Sequence, residues 1–112
     1  MSENMQRDAV PYHIFLCDGR ILARNIEGRV IDIGGVQKED DGFHWQFDGN
    51  NARGDALSSS AAILDDIERE LTFLFLDGQF TSLPDASDDY RDRLQHASGR
   101  EVTLYNRLDE DV

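Results

Sequence analysis

The segment Phe43-His44-Trp45-Gln46-Phe47 alternates aromatic and polar residues at every step, and no other stretch constrains the fold as tightly. Successive side chains of a β-strand point to opposite faces, so a strand here puts Phe43, Trp45 and Phe47 together on one of them. Three large rings on one side require a covering layer. That aromatic face reads most simply as the floor of the core.

Punctuation on either side sets the remaining elements. From Val10 to Cys17 the chain is apolar on both strand faces, and Asp18-Gly19 follows, a pair suited to the positive φ angles of a tight hairpin turn. A second strand from about Arg20 to Ile26 ends at Glu27-Gly28, and a third from Arg29 to Ile33 ends at Gly34-Gly35. Gln37 to Gly42 reads as a polar loop, and Asp48 to Gly54 as another. Ser58-Ser59-Ser60 offers N-cap hydroxyls to a helix whose Ala61, Leu64, Ile67, Leu71 and Leu74 recur at helical spacing, with Asp77-Gly78 as its stop. Leu83-Pro84 breaks the chain again. Asp85 or Ser87 then caps a shorter helix running to about Ala97, closed by Gly99, and Glu101 to Tyr105 alternates as a last strand.

Strands first and helices after predict an α+β domain. Its antiparallel sheet has about four to five strands with two helices, in the order β-β-β-β-α-α-β. The 112 residues suit one domain, spanning residues 10–106 between a flexible start (1–9) and an acidic tail (107–112). The single Cys17 has no internal disulfide partner, and residues 1–8 lack the basic-then-apolar pattern of a secretion signal, so the expected setting is a reducing cytoplasm. The longest apolar run, Phe73-Leu74-Phe75-Leu76, is far short of the roughly 20 residues that cross a bilayer.

Charge is the compositional outlier. There are 23 acids against 11 Lys plus Arg, a net of -12, and Lys38 is the only lysine. Residues 1–36 carry a net of -1, residues 37–70 a net of -6 and residues 71–112 a net of -5. Such a field repels nucleic acid and anionic lipid and speeds encounter with a basic partner. Asp supplies 16 of the acids, several as pairs, and its short side chain holds the carboxylate close to the backbone. Fixed arrays of that kind can imitate phosphates, which follow one another about every 3.4 Å along a nucleic-acid strand. Asp is equally the ordinary residue of turns and helix N-termini, and Asp18, Asp48, Asp77, Asp85 and Asp88 all stand where that role suffices.

Signs of catalysis are sparse. His13, His44 and His96 are widely spaced, the one cysteine has no CxxC partner, and zinc spacing is absent. An EF-hand read from Asp48 fails at its glycine and glutamate positions, which hold Arg53 and Ser59. No phosphate-cradling or nucleophile-elbow motif occurs. His13 and Cys17, four apart on one strand, stand about 13 Å apart at roughly 3.3 Å per residue, too far for proton transfer, and Cys17 reads as a small core residue. Paired carboxylates for glycoside chemistry need a cleft about 5 to 9.5 Å across, deeper than short loops offer. Arg20, Arg24 and Arg29 suggest a groove-reading sheet, but the net charge opposes it, and pairing with cross-strand acids such as Asp32 is the simpler role.

The expectation is therefore a non-catalytic protein, without metal or cofactor, that places a carboxylate-rich surface in a basic, nucleic-acid-binding site of another macromolecule. It would act as a nucleic-acid mimic or inhibitor of the kind phages and plasmids use against defence or DNA-handling systems. Asp40, Asp41, Asp65, Asp66, Glu68, Glu70, Asp88 and Asp89 stand for the phosphates. An immunity or antitoxin-like protein neutralising a basic toxin would use the same charge. A small regulatory domain would instead dimerise through Phe73, Phe75 and Leu76, which one narrow helical stripe cannot bury together.

Overall fold

A computed structural model describes residues 8–106; residues 1–7 of the expected flexible start (1–9) and the acidic tail (107–112) lie outside the described residues, and Asp8 and Ala9 belong to a strand. The chain forms an α+β fold around one antiparallel sheet of six strands, β1 (Asp8–Cys17), β2 (Arg20–Arg24), β3 (Val30–Glu39), β4 (Gly42–Phe47), β5 (Arg53–Leu57) and β6 (Ser98–Asn106). Three helices, α1 (Ser60–Glu70), α2 (Phe73–Ser82) and α3 (Ser87–Tyr90), and a 3-10 turn at Leu94–His96 lie between β5 and β6. The sheet order is β5-β4-β3-β2-β1-β6.

The hairpin signal at Asp18-Gly19 is realised as a two-residue turn with φ of 54° and 79°, both positive as a type I′ turn requires. Val30 starts a strand that does not stop at the paired glycines. It runs through them to Glu39, so the expected loop from Gln37 is half strand, and only Asp40-Asp41 turn the chain into β4. Between Ile21 and Leu22 the partner on β3 jumps from Gly34 to Asp32, which leaves Ile33 as the extra residue of a β-bulge.

The alternation in β4 is obeyed. Trp45 and Phe47 are buried, Phe43 packs beside them, and the three rings face the main core with Ile14, Ile21, Ile31 and Ile33. α1 and α2 roof that face, through Ile63, Leu64 and Ile67 of the first and Leu76 of the second. The opposite face carries a smaller cluster of Phe15, Cys17, Leu22 and Val30, covered by Leu94, Tyr90 and Ala97. β1 and β2 are apolar on both faces because both their faces are covered.

Several expectations are corrected here. The sheet has six strands and three helices accompany it, where four to five and two were expected. The helix expected to run to about Ala97 is the four-residue α3 followed by a separate 3-10 turn, with Gly99 inside β6. The long helix is two, broken at Leu71-Thr72: Ser59 caps α1, accepting from the Ala62 N–H at 3.1 Å, and Thr72 caps α2, accepting from the Phe75 N–H at 3.1 Å. Asp77-Gly78 therefore lies inside a helix, and the rotation at the break turns Leu74 out to 71% exposure while Leu76 is wholly buried. β5 begins in the last two residues of the loop expected from Asp48 to Gly54 and runs on to Leu57, where no strand was expected.

Candidate functional site

The eight acids singled out from the sequence do not form one surface. Asp65, Asp66, Glu68 and Glu70 lie on α1, which roofs the main core; Asp88 and Asp89 lie on α3, beside the cluster on the opposite side of the sheet. Asp40 and Asp41 form the β3–β4 turn. The helical elements stand on both faces of the sheet, so the acids they carry do not share one side.

Four of the eight are tied to arginines. Arg100 on β6 donates to Asp65 and, at 3.1 Å, to Glu68, clamping α1 to the sheet. Arg91 pairs with Asp88 one turn away. Asp66 accepts from Arg69 at 2.7 Å and, with its other oxygen, from the Trp45 indole N–H at 2.9 Å. That second bond satisfies a donor on a buried ring, so Asp66 is a structural residue. It also explains a glycine: a Cβ on Gly54 of β5 would collide with the Asp66 carboxylate and the indole nitrogen.

Asp40, Glu70 and Asp89 have no cationic partner among the described residues, and Asp41 meets only His44. His44 projects from the polar face of β4 between two carboxylates, with Nε2 2.6 Å from Asp41 Oδ1 and Nδ1 2.9 Å from Asp55 Oδ1. The hydrogen bond to Asp41, supported by Asp55, raises its pKa above the ordinary imidazole value. Arg53, 2.8 Å away, lowers that of Asp55.

His44, Arg53 and Asp55 line an open trough of about 690 Å³ on the polar face of β3, β4 and β5. Arg20 crosses its floor, donating from Nε to both Asp32 oxygens at 2.9 and 3.1 Å and from Nη2 to Asp48 at 2.8 Å, the cross-strand pairing expected of it. Gly35 makes room, since a Cβ there would stand 2.9 Å from the Arg20 guanidinium. Gln46 donates to Asn51 at 3.2 Å. The trough is wide, and of its charged lining groups Arg20, His44, Asp48, Arg53 and Asp55 are paired while Glu39 is not.

Of the proposed apolar patch, Leu76 is buried and Phe73 and Phe75 are partly buried against the main core. Phe75 stacks on Phe47 with centroids 5.0 Å apart, Phe73 packs against the same core and Leu76 is inside it. Cys17 is a buried free thiol in the smaller cluster, its pKa raised by burial and then by Asp18. The described residues contain no group of three or more His, Cys, Asp or Glu placed to hold a metal ion, and no helix long and apolar enough to cross a membrane.

Sequence reasoning missed the division between paired and unpaired acids, because pairing depends on which arginine each helix docks against. The one available signal was Arg100, alternating with Val102 and Leu104 onto the covered face of β6. Compared with known proteins, the chain matches no family model, no curated protein and no solved structure.

Proposed function

We propose that the protein is a non-catalytic acidic binding protein that occupies a basic, nucleic-acid-binding site on another macromolecule. The observation that carries this reading is the imbalance left after pairing. Arginines engage Asp18, Asp32, Asp48, Asp55, Asp65, Asp66, Asp88 and Glu68, whereas Glu27, Glu39, Asp40, Glu70, Asp77, Asp85, Asp89, Asp92 and Glu101 keep no cation among the described residues. The surplus is exposed and spread along the chain, with neighbouring pairs at Glu39 and Asp40 on the β3–β4 turn and at Asp89 and Asp92 on and just after α3.

Among the eight residues first singled out, Asp40, Asp41, Glu70 and Asp89 are the ones available to an outside cation. Exposed charges of this kind steer encounter and fix register more than they add affinity, and their effect fades as salt shortens the Debye length. An inhibitor that stands in for nucleic acid needs such a field and no reaction centre.

The test is capture from a cell lysate on the immobilised protein, followed by elution with excess duplex DNA. Elution of a nucleic-acid-binding protein by DNA supports the reading. Captured partners that DNA cannot displace contradict it.

A further inference from the structure

The two edges of the sheet differ in how open they are. β5 is short and irregular, with Ala56 at φ 58° and a register break opposite Phe43 and Trp45. β6 pairs with β1 in unbroken register across all nine of its residues, from Ser98 opposite Leu16 to Asn106 opposite Asp8.

Which β6 groups face outward follows from the hairpin. In a two-residue turn the flanking pair, here Cys17 and Arg20, is hydrogen-bonded, so Cys17, Phe15 and His13 bond to β2 while Leu16, Ile14 and Tyr12 bond to β6. Pro11, which has no N–H to give, falls on the side away from β6, as this alternation demands. On β6 the residues opposite the bonding set are Ser98, Arg100, Val102, Leu104 and Asn106. Gly99, Glu101, Thr103 and Tyr105 therefore turn their N–H and C=O groups outward. Among the described residues nothing bonds to them.

An open edge of this length is a template for another strand, and proteins ordinarily blunt it with proline, charged side chains or a bulge. β6 between Ser98 and Asn106 has no proline, lysine or bulge; of its two charged side chains Arg100 is held by Asp65 and Glu68 of α1, which leaves Glu101 alone on the exposed side. Charge selects the occupant. Asp65 and Glu68 outnumber the Arg100 they hold, and exposed Glu101 has no cationic partner among the described residues. A second copy would bring another net charge of -12.

We propose that the outer edge of β6 receives an extended, basic segment of a partner protein as a seventh strand, through the backbone groups of Gly99, Glu101, Thr103 and Tyr105. Main-chain bonds supply affinity in this mode and side chains supply choice, with half-exposed Tyr105 as the apolar contact. The basic character of the partner rests on the acidic-binding reading above; the position of the contact does not.

The probe is a blocked peptide of about seven residues alternating lysine with threonine, compared with one carrying glutamine for lysine. Amide exchange and affinity are measured on the unaltered protein, on Thr103→Pro and on Thr103→Val. The Thr103 N–H plays no part in the β1–β6 ladder, so proline there removes an outward donor and leaves that ladder whole. The expected result is slowed exchange at Gly99, Glu101, Thr103 and Tyr105, binding about tenfold weaker for Thr103→Pro, and unchanged binding for Thr103→Val. Absence of binding, equal binding by Thr103→Pro, or protection elsewhere overturns the proposal. Equal affinity for the glutamine peptide, with the same four amides protected, keeps the edge and overturns the basic partner. Should Thr103→Pro fail to fold, the exchange pattern of the unaltered protein decides.

Discussion

The two faces of the sheet are finished differently. Under α1 and α2 the side chains of Ile14, Ile21, Ile31, Ile33, Trp45 and Phe47 are almost wholly removed from water, and the layer spans five strands. On the other face a single helical turn and a 3-10 turn cover only Phe15, Cys17, Leu22 and Val30, and β3 to β5 expose a polar trough. One face carries the stability of the domain; the other face and the turns around it are left for polar work. Hydrophobic stabilisation scales with the apolar area removed from water, so the asymmetry should appear directly in the energetics of substitution.

The strongest attempt to break that contrast is Phe47→Ala. It opens a cavity beside Trp45 and Phe75 and is expected to cost about 3–5 kcal/mol in denaturant unfolding. Leu94→Ala, on the thinly covered face, is expected to cost about 2 kcal/mol, the low end for leucine, because its surroundings can collapse onto it. Equal costs for the two would erase the distinction between the faces. Asp66→Ala, which strands the Trp45 indole N–H, is expected to cost about 1–3 kcal/mol, whereas Glu70→Gln on the same helix should stay within about 0.5 kcal/mol. A Glu70 effect as large as that of Asp66 would mean that the free acids are structural too.

The smallest effect concerns the trough. The pKa of His44 is raised in the folded state, first by Asp41 and then by Asp55, so the folded protein holds this proton more tightly than the unfolded chain does. The resulting stability is fully present below the ordinary imidazole value of about 6.5 and is lost as pH rises through the higher folded value. Unfolding midpoints should therefore fall modestly as pH rises above about 6.5, and His44→Gln should abolish that slope. An unchanged slope would place the titrating group elsewhere.

Much of the fold could be read from local chemistry. The Asp18-Gly19 turn, the aromatic face of β4, the Ser59 cap and the apolar character of β1 on both faces all follow from period and turn residues. β5 was hidden because Arg53-Gly54-Asp55-Ala56-Leu57 contains no β-branched or aromatic residue; its pairing is imposed by β4 and by the Trp45–Asp66 bond closing over Gly54. The break at Thr72 was masked by the spacing of Leu71 and Leu74, which fits one continuous helix while the Thr72 cap starts another. For the candidate site, the sequence located the surplus charge but not which carboxylates keep it, since that depends on where Arg100, Arg91 and Arg69 come to rest.

The central claim is that the carboxylates no arginine holds, and not acidity in general, engage a basic partner. It is tested most directly by capturing lysate proteins at about 0.05 M and about 0.5 M salt, on the unaltered protein and on two charge-matched variants. One variant carries Asp40→Asn, Asp41→Asn, Glu70→Gln and Asp89→Asn. The other carries Asp18→Asn, Asp48→Asn, Asp65→Asn and Asp88→Asn, all acids already held by arginines. The account predicts salt-sensitive capture of nucleic-acid-binding proteins that the first variant loses and the second largely keeps. Equal loss in both, or capture indifferent to salt and to either variant, would contradict it.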